Sequence, residues 1–151
     1  MSPAPKIADY PRIRKALKFY MVTSVITGVM LLFLVVEMVL KYGFGYEVFA
    51  FAPQGAITLV PINAFGEAES EGFNLSTGIL IAHGWFYVVY LFGNFLIWSP
   101  MRWPFWKFLL LASGGIVPLL SFFLEGRISR EVNAELAAGE AAQAPLVEAA
   151  H

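Results

Sequence analysis

The stretch FYMVTSVITGVMLLFLVVEMVL, residues 19–40, is almost wholly apolar and carries a single charged residue, Glu37. An α-helix rises about 1.5 Å per residue, so about 20 such residues cross the roughly 30 Å hydrocarbon core of a bilayer. Two further stretches, residues 78–98 and 105–124, have a similar length and composition. Together they predict an all-α membrane protein with three transmembrane helices.

The composition leads to the same class. The chain is 58% hydrophobic and 14% charged, whereas ordinary soluble domains are about 45–50% apolar and about 25% charged. We expect one transmembrane domain over residues 1–130 and no separate globular domain. Residues 131–151 are rich in Ala and Glu and predict a partly disordered tail.

The basic residues predict the orientation. Cytoplasmic loops carry an excess of Lys and Arg. With three spans, seven basic residues fall on one side, namely Lys6, Arg12, Arg14, Lys15, Lys18, Arg102 and Lys107, and three on the other, namely Lys41, Arg127 and Arg130. This predicts a multi-pass protein of the plasma membrane with a cytoplasmic N-terminus and an external C-terminus.

The outer connection, residues 43–77, is rich in Gly and Pro, which makes a continuous helix there unlikely to form. Residues 48–52 and 57–60 flank Pro53-Gln54-Gly55, a pattern typical of a short hairpin. Ser76 or Thr77 is predicted to cap the second span.

Polar residues recur within the spans at helical spacing. His83, Tyr87, Tyr90 and Asn94 share one helix face. With three spans, Glu37, His83 and Glu125 would lie at similar depth on the outer side. The candidate polar cluster comprises Glu37, Lys41, His83, Tyr87, Tyr90 and Glu125.

Two interpretations of these residues remain open. Polar groups in membrane helices often serve packing, through interhelical hydrogen bonds worth about 0.6 kcal/mol on average. Ionisable groups at membrane depth also mark ligand or proton sites. The residues assigned to helix packing are Ser24, Gly28, Asn94, Gly114, Gly115, Pro118 and Ser121.

Signatures of catalysis and of resident cofactors are missing from the sequence. The chain has no cysteine and only two histidines, too few for the usual zinc or haem ligation. It has no phosphate-binding loop, no zinc-binding histidine pair and no serine elbow. We therefore expect no enzyme activity, no catalytic residues, no metal, no cofactor and no nucleic-acid partner.

A series of short motifs resembles a known family. They are Phe19-Tyr20, Thr27-Gly28, residues 36–42 (VEMVLKY), residues 82–85 (AHGW) with Tyr90, residues 101–104 (MRWP), and residues 117–122 (VPLLSF) with Glu125. Over roughly residues 15–130 the chain resembles the actinobacterial integral membrane proteins grouped under domain of unknown function 3817. The resemblance implies a three-helix membrane protein without assigned catalysis. It also implies one role, that of an accessory subunit beside a respiratory complex. The sequence departs from many relatives, which have an acidic residue at the position of Thr27, and its outer connection is longer.

The sequence predicts a non-enzymatic accessory subunit or assembly factor. Its partners would be the lipid bilayer and a larger membrane complex, with a respiratory supercomplex as one candidate, or further copies of the chain. The alternative is a small-ligand protein, binding a quinone or lipid, or a proton-handling protein, built around the outer Glu and His residues. The sequence does not decide whether such a ligand binds.

Overall fold

The computed structural model describes residues 3–150. A single 3₁₀ turn, Ile7–Asp9, leads into helix α1, Tyr10–Met38, which has Pro11 in its first turn. Proline fits there because the first helical N–H groups have no partner inside the helix. The helix continues as a π-helical segment, Val39–Phe44, and ends at Gly45 in the left-handed conformation with φ +76°.

A three-stranded antiparallel sheet follows. Strand β1, Tyr46–Ala52, pairs on one side with β2, Gly55–Pro61, and on the other with β3, Phe73–Asn74, so the strand order is β2-β1-β3. The sheet contains the predicted hairpin around Pro53-Gln54-Gly55, whereas β3 was not predicted. Gly72 adopts φ +114°, and a Cβ there would lie 2.7 Å from the Ala50 carbonyl oxygen, so only glycine fits before β3.

Helix α2, Leu75–Met101, runs antiparallel to α1, because Thr27 of α1 donates to the Phe86 carbonyl and Ser76 donates to Glu37. Its cap is Asn74, whose side chain accepts a hydrogen bond from the Thr77 N–H at 2.9 Å. The prediction that Ser76 or Thr77 caps this helix is therefore wrong.

The third predicted span, residues 105–124, is not one helix. Helix α3, Phe105–Ser113, stops at Gly114, and helix α4, Leu120–Ala149, starts after a turn over residues 114–119. Two adjacent glycines disfavour helix, and Pro118 cannot supply the N–H that a continuous helix needs. At about 1.5 Å per residue, α3 is about 14 Å long, less than half of a roughly 30 Å bilayer core.

Helix α4 returns toward the start of α1. Its first turn meets the middle of α1, where Ser24 donates to the Ser121 carbonyl at 3.2 Å. Farther along, Gly139 contacts Tyr10 and Glu140 pairs with Arg14 at 2.5 Å. Residues 139 and 140 therefore lie at the end of the bundle where α1 begins. The expected placement of the chain's two ends on opposite sides does not agree with this arrangement.

The Ala- and Glu-rich tail is helical rather than partly disordered, since α4 continues through Ala149. Ala, Glu, Gln and Leu are strong helix formers, which explains the helix in this polar segment. Residue 151 of the predicted tail lies outside the described residues.

The buried core lies in the half of the bundle where α1 begins. It is formed by side chains of α1, α2, α3 and α4, together with Trp103 from the connection after α2, and its members include Tyr10, Ile13, Leu17, Tyr20, Tyr90, Ile97, Leu111, Ile128, Val132 and Leu136. Within residues 3–150, two helical stretches are long and apolar enough to cross a membrane: Ile7–Phe44, which contains α1, and Leu75–Met101, which is α2. The sequence predicted three transmembrane helices, whereas the described residues contain two candidate spans and a third segment that is broken between α3 and α4.

Candidate functional site

The polar groups of the chain collect at the end of the bundle that carries the sheet, called here the sheet end. Lys41, in the π-helical segment, pairs with Glu47 of β1 at 2.5 Å. Asn74 donates from Nδ2 to the second oxygen of the same carboxylate at 2.8 Å. The Glu47 side chain is 7% exposed and that of Lys41 is 30% exposed. This ion pair therefore joins the end of α1 to the sheet and to the start of α2.

Burial and hydrogen bonding oppose each other at Glu47. Burial raises the pKa of a carboxyl, but the hydrogen bonds from Lys41 and Asn74 and the charge of Lys41 favour the ionised form. The net effect is that the pKa of Glu47 lies below its usual range. The charged carboxylate is thus part of the folded sheet end.

Ser76 links the same elements by a second route. Its hydroxyl donates to the carboxylate of Glu37 on α1 and accepts a 3.0 Å hydrogen bond from the Val48 N–H of β1. Glu37 and Lys41 lie one turn apart, yet each binds a different residue, and the outcome is a connected polar network at the sheet end.

A cleft of about 220 Å³ lies beside this network, between the end of α1 and the start of α2. Glu37, Lys41 and Ser76 line its polar part, and its apolar residues include Leu34, Met38 and Leu80. The cleft therefore offers charged groups beside an apolar wall.

His83, Tyr87 and Tyr90 lie farther along α2, away from the sheet end. The rings of His83 and Tyr87 stack with centroids 6.3 Å apart. Tyr87 donates to the Ala112 carbonyl at 3.2 Å, and Tyr90 donates to the Leu111 carbonyl at 2.7 Å. These two tyrosines hold the end of α3 against α2, which is a packing role.

Glu125 does not join Glu37 and His83. Glu125 lies on α4, one turn beyond Ser121. Ser121 contacts Ser24 in the middle of α1, and from there α4 runs toward Tyr10. Glu37 is 13 residues beyond Ser24 on α1, so it lies about 20 Å along the bundle from the level of Ser24 and Ser121. Glu125 lies on the other side of that level. The structure therefore brings together Glu37 and Lys41, places His83, Tyr87 and Tyr90 in a second group, and separates Glu125 from Glu37.

Three glycines assigned to packing lie at close helix contacts, whereas Pro118 is exposed in the turn between α3 and α4. A Cβ on Gly28 would overlap Ser121 Oγ and lie 2.9 Å from the ring of Phe122, so this glycine permits α1 and α4 to approach. A Cβ on Gly114 would lie 2.7 Å from the Tyr90 hydroxyl oxygen, and one on Gly115 would overlap the Tyr87 ring.

The interior of the bundle also holds polar side chains that are fully buried. Among these are Tyr20, Ser24, Tyr90, Asn94 and Ser121. Within residues 3–150, the side-chain atoms of Asn94, the Tyr20 hydroxyl and Ser121 Oγ have no hydrogen-bond partner. Asn94 is therefore buried in the bundle, and its side-chain amide makes no hydrogen bond to the described residues.

A second charged contact, near the connection from α2 to α3, was not predicted. Lys107 pairs with Glu131 of α4, and its ammonium lies 3.8 Å from the centroid of the Trp103 ring. Partial burial of Glu135, together with the nearby Glu131 carboxylate, raises the pKa of Glu135. The pair fixes α4 to the start of α3.

Sequence analysis missed Glu47, Asn74 and Ser76 as site residues. Glu47 is 27 residues from Asn74, and Ser76 is 39 residues from Glu37, so these contacts depend on the sheet that joins α1 to α2. The only available signal was the predicted hairpin, which returns the chain toward the end of the first helix.

The polar groups of the sheet end interact with one another through charge and hydrogen bonds. Within residues 3–150, no three His, Asp or Glu side chains are grouped so that they could hold a metal ion. The residues that line the sheet-end cleft carry an ammonium, two carboxylates and three hydroxyls. Such a set can orient a charged ligand at the edge of an apolar surface.

Comparison with known proteins shows the family. No curated protein and no solved structure is detectably similar to this chain. One family model matches residues 17–130, from the first half of α1 through the first third of α4. The segments on either side of that match, around Tyr10 and Gly139, contact each other. The chain belongs to the family described as "Domain of unknown function (DUF3817)".

Proposed function

We propose that this protein is a non-enzymatic, multi-pass protein of the plasma membrane that acts as an accessory subunit or assembly factor of a larger membrane complex. The observation that carries the proposal is the exposure of the two apolar helices. Only 33% and 17% of their most apolar windows are buried, whereas the core helix of a soluble protein would be mostly buried. Large side chains such as Phe33, Trp85 and Phe92 are more than half exposed. These faces require lipid or a partner.

The basic residues support an orientation with both described ends on the cytoplasmic side. All ten lie within residues 3–150. Lys41 is at the sheet end, whereas nine lie toward the end where α1 begins, since α4 carries Arg127 and Arg130 back in that direction. A ratio of nine to one favours a cytoplasmic location for that end more strongly than the seven to three expected for three full spans.

Lateral association is favoured by the position of the exposed aromatic residues. Phe33 lies opposite the face of α1 that contacts α4, and Trp85 lies opposite the face of α2 that contacts α3. Aromatic residues are enriched at protein interfaces. The family resemblance favours a respiratory complex as the partner, and a second copy of the chain is the competing partner.

Photo-crosslinking in native membranes tests the proposal. A photoreactive phenylalanine analogue would be placed at Phe33 or Trp85, with Phe65 as the control because it is an exposed aromatic residue on the outer connection. We expect both helix positions to crosslink to the same protein, and that protein to comigrate with the chain in a mild detergent. Recovery of only a free monomer, with no protein crosslink from either helix, would contradict an accessory role. Crosslinks between two differently tagged copies would indicate a homo-oligomer.

Binding of a small ligand is the second candidate function, and the sheet-end cleft is the observation that favours it. Of the predicted cluster, the cleft retains Glu37 and Lys41. Changing Glu37→Gln and His83→Ala separates the two candidates: loss of respiratory-chain activity with normal membrane insertion and normal complex assembly would favour the ligand or proton role over the accessory role.

A further inference from the structure

The sheet-end cleft continues a groove between α1 and α2. Nearer the start of α1, this groove is filled by α3 and α4. Met38 comes 14 residues after Ser24 and returns to within about 40° of the same angle on α1, the face that contacts α4. Leu80 comes seven residues before Tyr87, within about 20° of the face of α2 that contacts α3. Because α3 stops at Ser113, the groove is uncovered beyond that level within residues 3–150.

The cleft has the polarity of a lipid site. In the proposed orientation its charged residues lie where α1 ends and α2 begins, at the depth of lipid headgroups. Leu34 and Leu80 lie about one turn farther into the bundle, at the depth of acyl chains. A ligand that fits must therefore be polar at one end and apolar at the other.

The charges define the headgroup. Within residues 3–150, the Glu37 carboxylate receives one side-chain hydrogen bond, from Ser76 to Oε2, which leaves Oε1 to accept another. The Lys41 ammonium has three N–H donors and uses one toward Glu47. Glu37, Lys41 and Glu47 carry a formal charge of −1 together. A ligand that places a cationic N–H donor at Glu37 and an anionic oxygen at Lys41 satisfies both groups.

We propose that this cleft binds a phospholipid with a primary ammonium group, of the phosphatidylethanolamine class. Its ammonium donates to Glu37, its phosphate accepts from Lys41, and one acyl chain lies along Leu34, Met38 and Leu80. A choline headgroup has no N–H to donate, and a glycerol headgroup adds a negative charge without a cation. The inference depends on the membrane placement proposed above but not on a protein partner, so a purified monomer is sufficient to test it.

Native mass spectrometry of the purified, delipidated full-length chain tests the proposal. The probes are phosphatidylethanolamine, its N-monomethyl and N,N-dimethyl derivatives, phosphatidylcholine and phosphatidylglycerol, all with the same acyl chains. We expect retention to fall stepwise as N–H donors are replaced by methyl groups, and phosphatidylglycerol to be retained least. Equal retention of the ethanolamine and choline lipids would overturn the proposal without any mutation of the protein.

Variants test the assigned residues. A hydrogen bond to a charged group contributes about 1.5–3 kcal/mol, so Glu37→Gln should reduce retention of phosphatidylethanolamine about tenfold or more. Glu69→Gln is the matched control, because Glu69 is exposed and does not line the cleft. Leu80→Trp should weaken binding of every lipid by filling the apolar part while leaving the charged groups in place.

The remaining outcomes also decide the proposal. If Glu37→Gln retains its thermal stability and binds phosphatidylethanolamine as the unmodified protein does, the assigned headgroup contact is wrong. Glycerophosphoethanolamine, which carries the same headgroup without acyl chains, should bind much more weakly than the lipid. Equal binding of this soluble molecule would show a site for a free headgroup and would overturn the assignment to lipid.

Discussion

The hydroxyl of Ser24, in the middle of α1, donates a hydrogen bond to the backbone carbonyl of Ser121, in the first turn of α4, over 3.2 Å. Gly28 lies beside this contact, and its missing side chain leaves space for Ser121 and Phe122. The contact places the start of α4 halfway along α1. From there α4 returns to Tyr10, so α3 and α4 form a hairpin that enters the bundle from one end only.

The returning helix predicts that Ala4 and Ala144 lie on the same side of the membrane. The chain has no cysteine, so Ala4→Cys, Ala144→Cys and Ala56→Cys are clean single-cysteine reporters. We expect a membrane-impermeant maleimide to label positions 4 and 144 in inside-out vesicles and position 56, on β2, in intact spheroplasts. Labelling of position 144 together with position 56 would instead restore three complete spans.

The close contact at Gly28 predicts a destabilising effect of a larger residue. Gly28→Val should lower stability by about 1–3 kcal/mol, because added atoms in a packed contact force the helices apart. The measurement is thermal unfolding in detergent, followed by tryptophan fluorescence. Gly84→Val is the matched control, since a Cβ at Gly84 meets no atom within 4 Å; an equal loss in both variants would show that the contact at Gly28 is not responsible.

The Glu47 ion pair predicts acid sensitivity of the sheet. Folding lowers the pKa of Glu47, so its stabilising contribution is present above the usual glutamate pKa of about 4.3 and is lost as the pH falls through the lower pKa of the folded protein. We expect the protection of the β1 amides against hydrogen exchange, measured relative to the intrinsic exchange rate at each pH, to fall below about pH 4. Glu47→Gln should weaken this pH dependence, whereas Glu71→Gln, at an exposed position, should preserve it. An unchanged acid profile in Glu47→Gln would mean that other carboxyls cause the transition.

Removal of residues 131–151, which follow the family match, should destabilise the bundle. Val132 and Leu136 are buried in the same cluster as Tyr10 and Ile13, and burial of each such side chain contributes about 1.5–3 kcal/mol. A chain that ends at residue 130 should therefore unfold at a lower temperature than the full-length protein. A chain that ends at residue 142 retains the contacts of Leu136, Gly139 and Glu140 and serves as the control. Equal stability of all three would show that this helix does not support the bundle.

The fold was predictable where a local pattern determined it. Length and apolar composition identified the first two candidate spans, and Pro53-Gln54-Gly55 identified the hairpin. The third span was predicted from the same composition, but its length was counted across Gly114, Gly115 and Pro118, which end α3. Gly114, Gly115 and Pro118 were assigned to helix packing, although together they favour a turn.

The candidate site was predictable only in part, because its depth depended on the direction of the last helix. The prediction that Glu125 lies at the outer end required a complete third span. In the structure α4 runs back toward the start of α1, and Glu125 lies on that returning helix. Glu37 and Lys41 both line the cleft at the sheet end. Their partners Ser76 and Glu47 could not be derived from helical spacing. Both contacts depend on the way the sheet folds between α1 and α2.

The short length of α3 has a consequence for biogenesis. In the proposed orientation and within residues 3–150, only the stretches that contain α1 and α2 are both long and apolar enough to be inserted as independent spans, and the nine residues of α3 cannot cross a bilayer. The hairpin of α3 and α4 must therefore enter after the first two helices are in place, guided by the surface that Ser24, Gly28, Tyr87 and Tyr90 present. Completion of membrane insertion thus requires tertiary folding, and a chain with a defect on that surface would leave an apolar hairpin on the cytoplasmic side as a target for proteases.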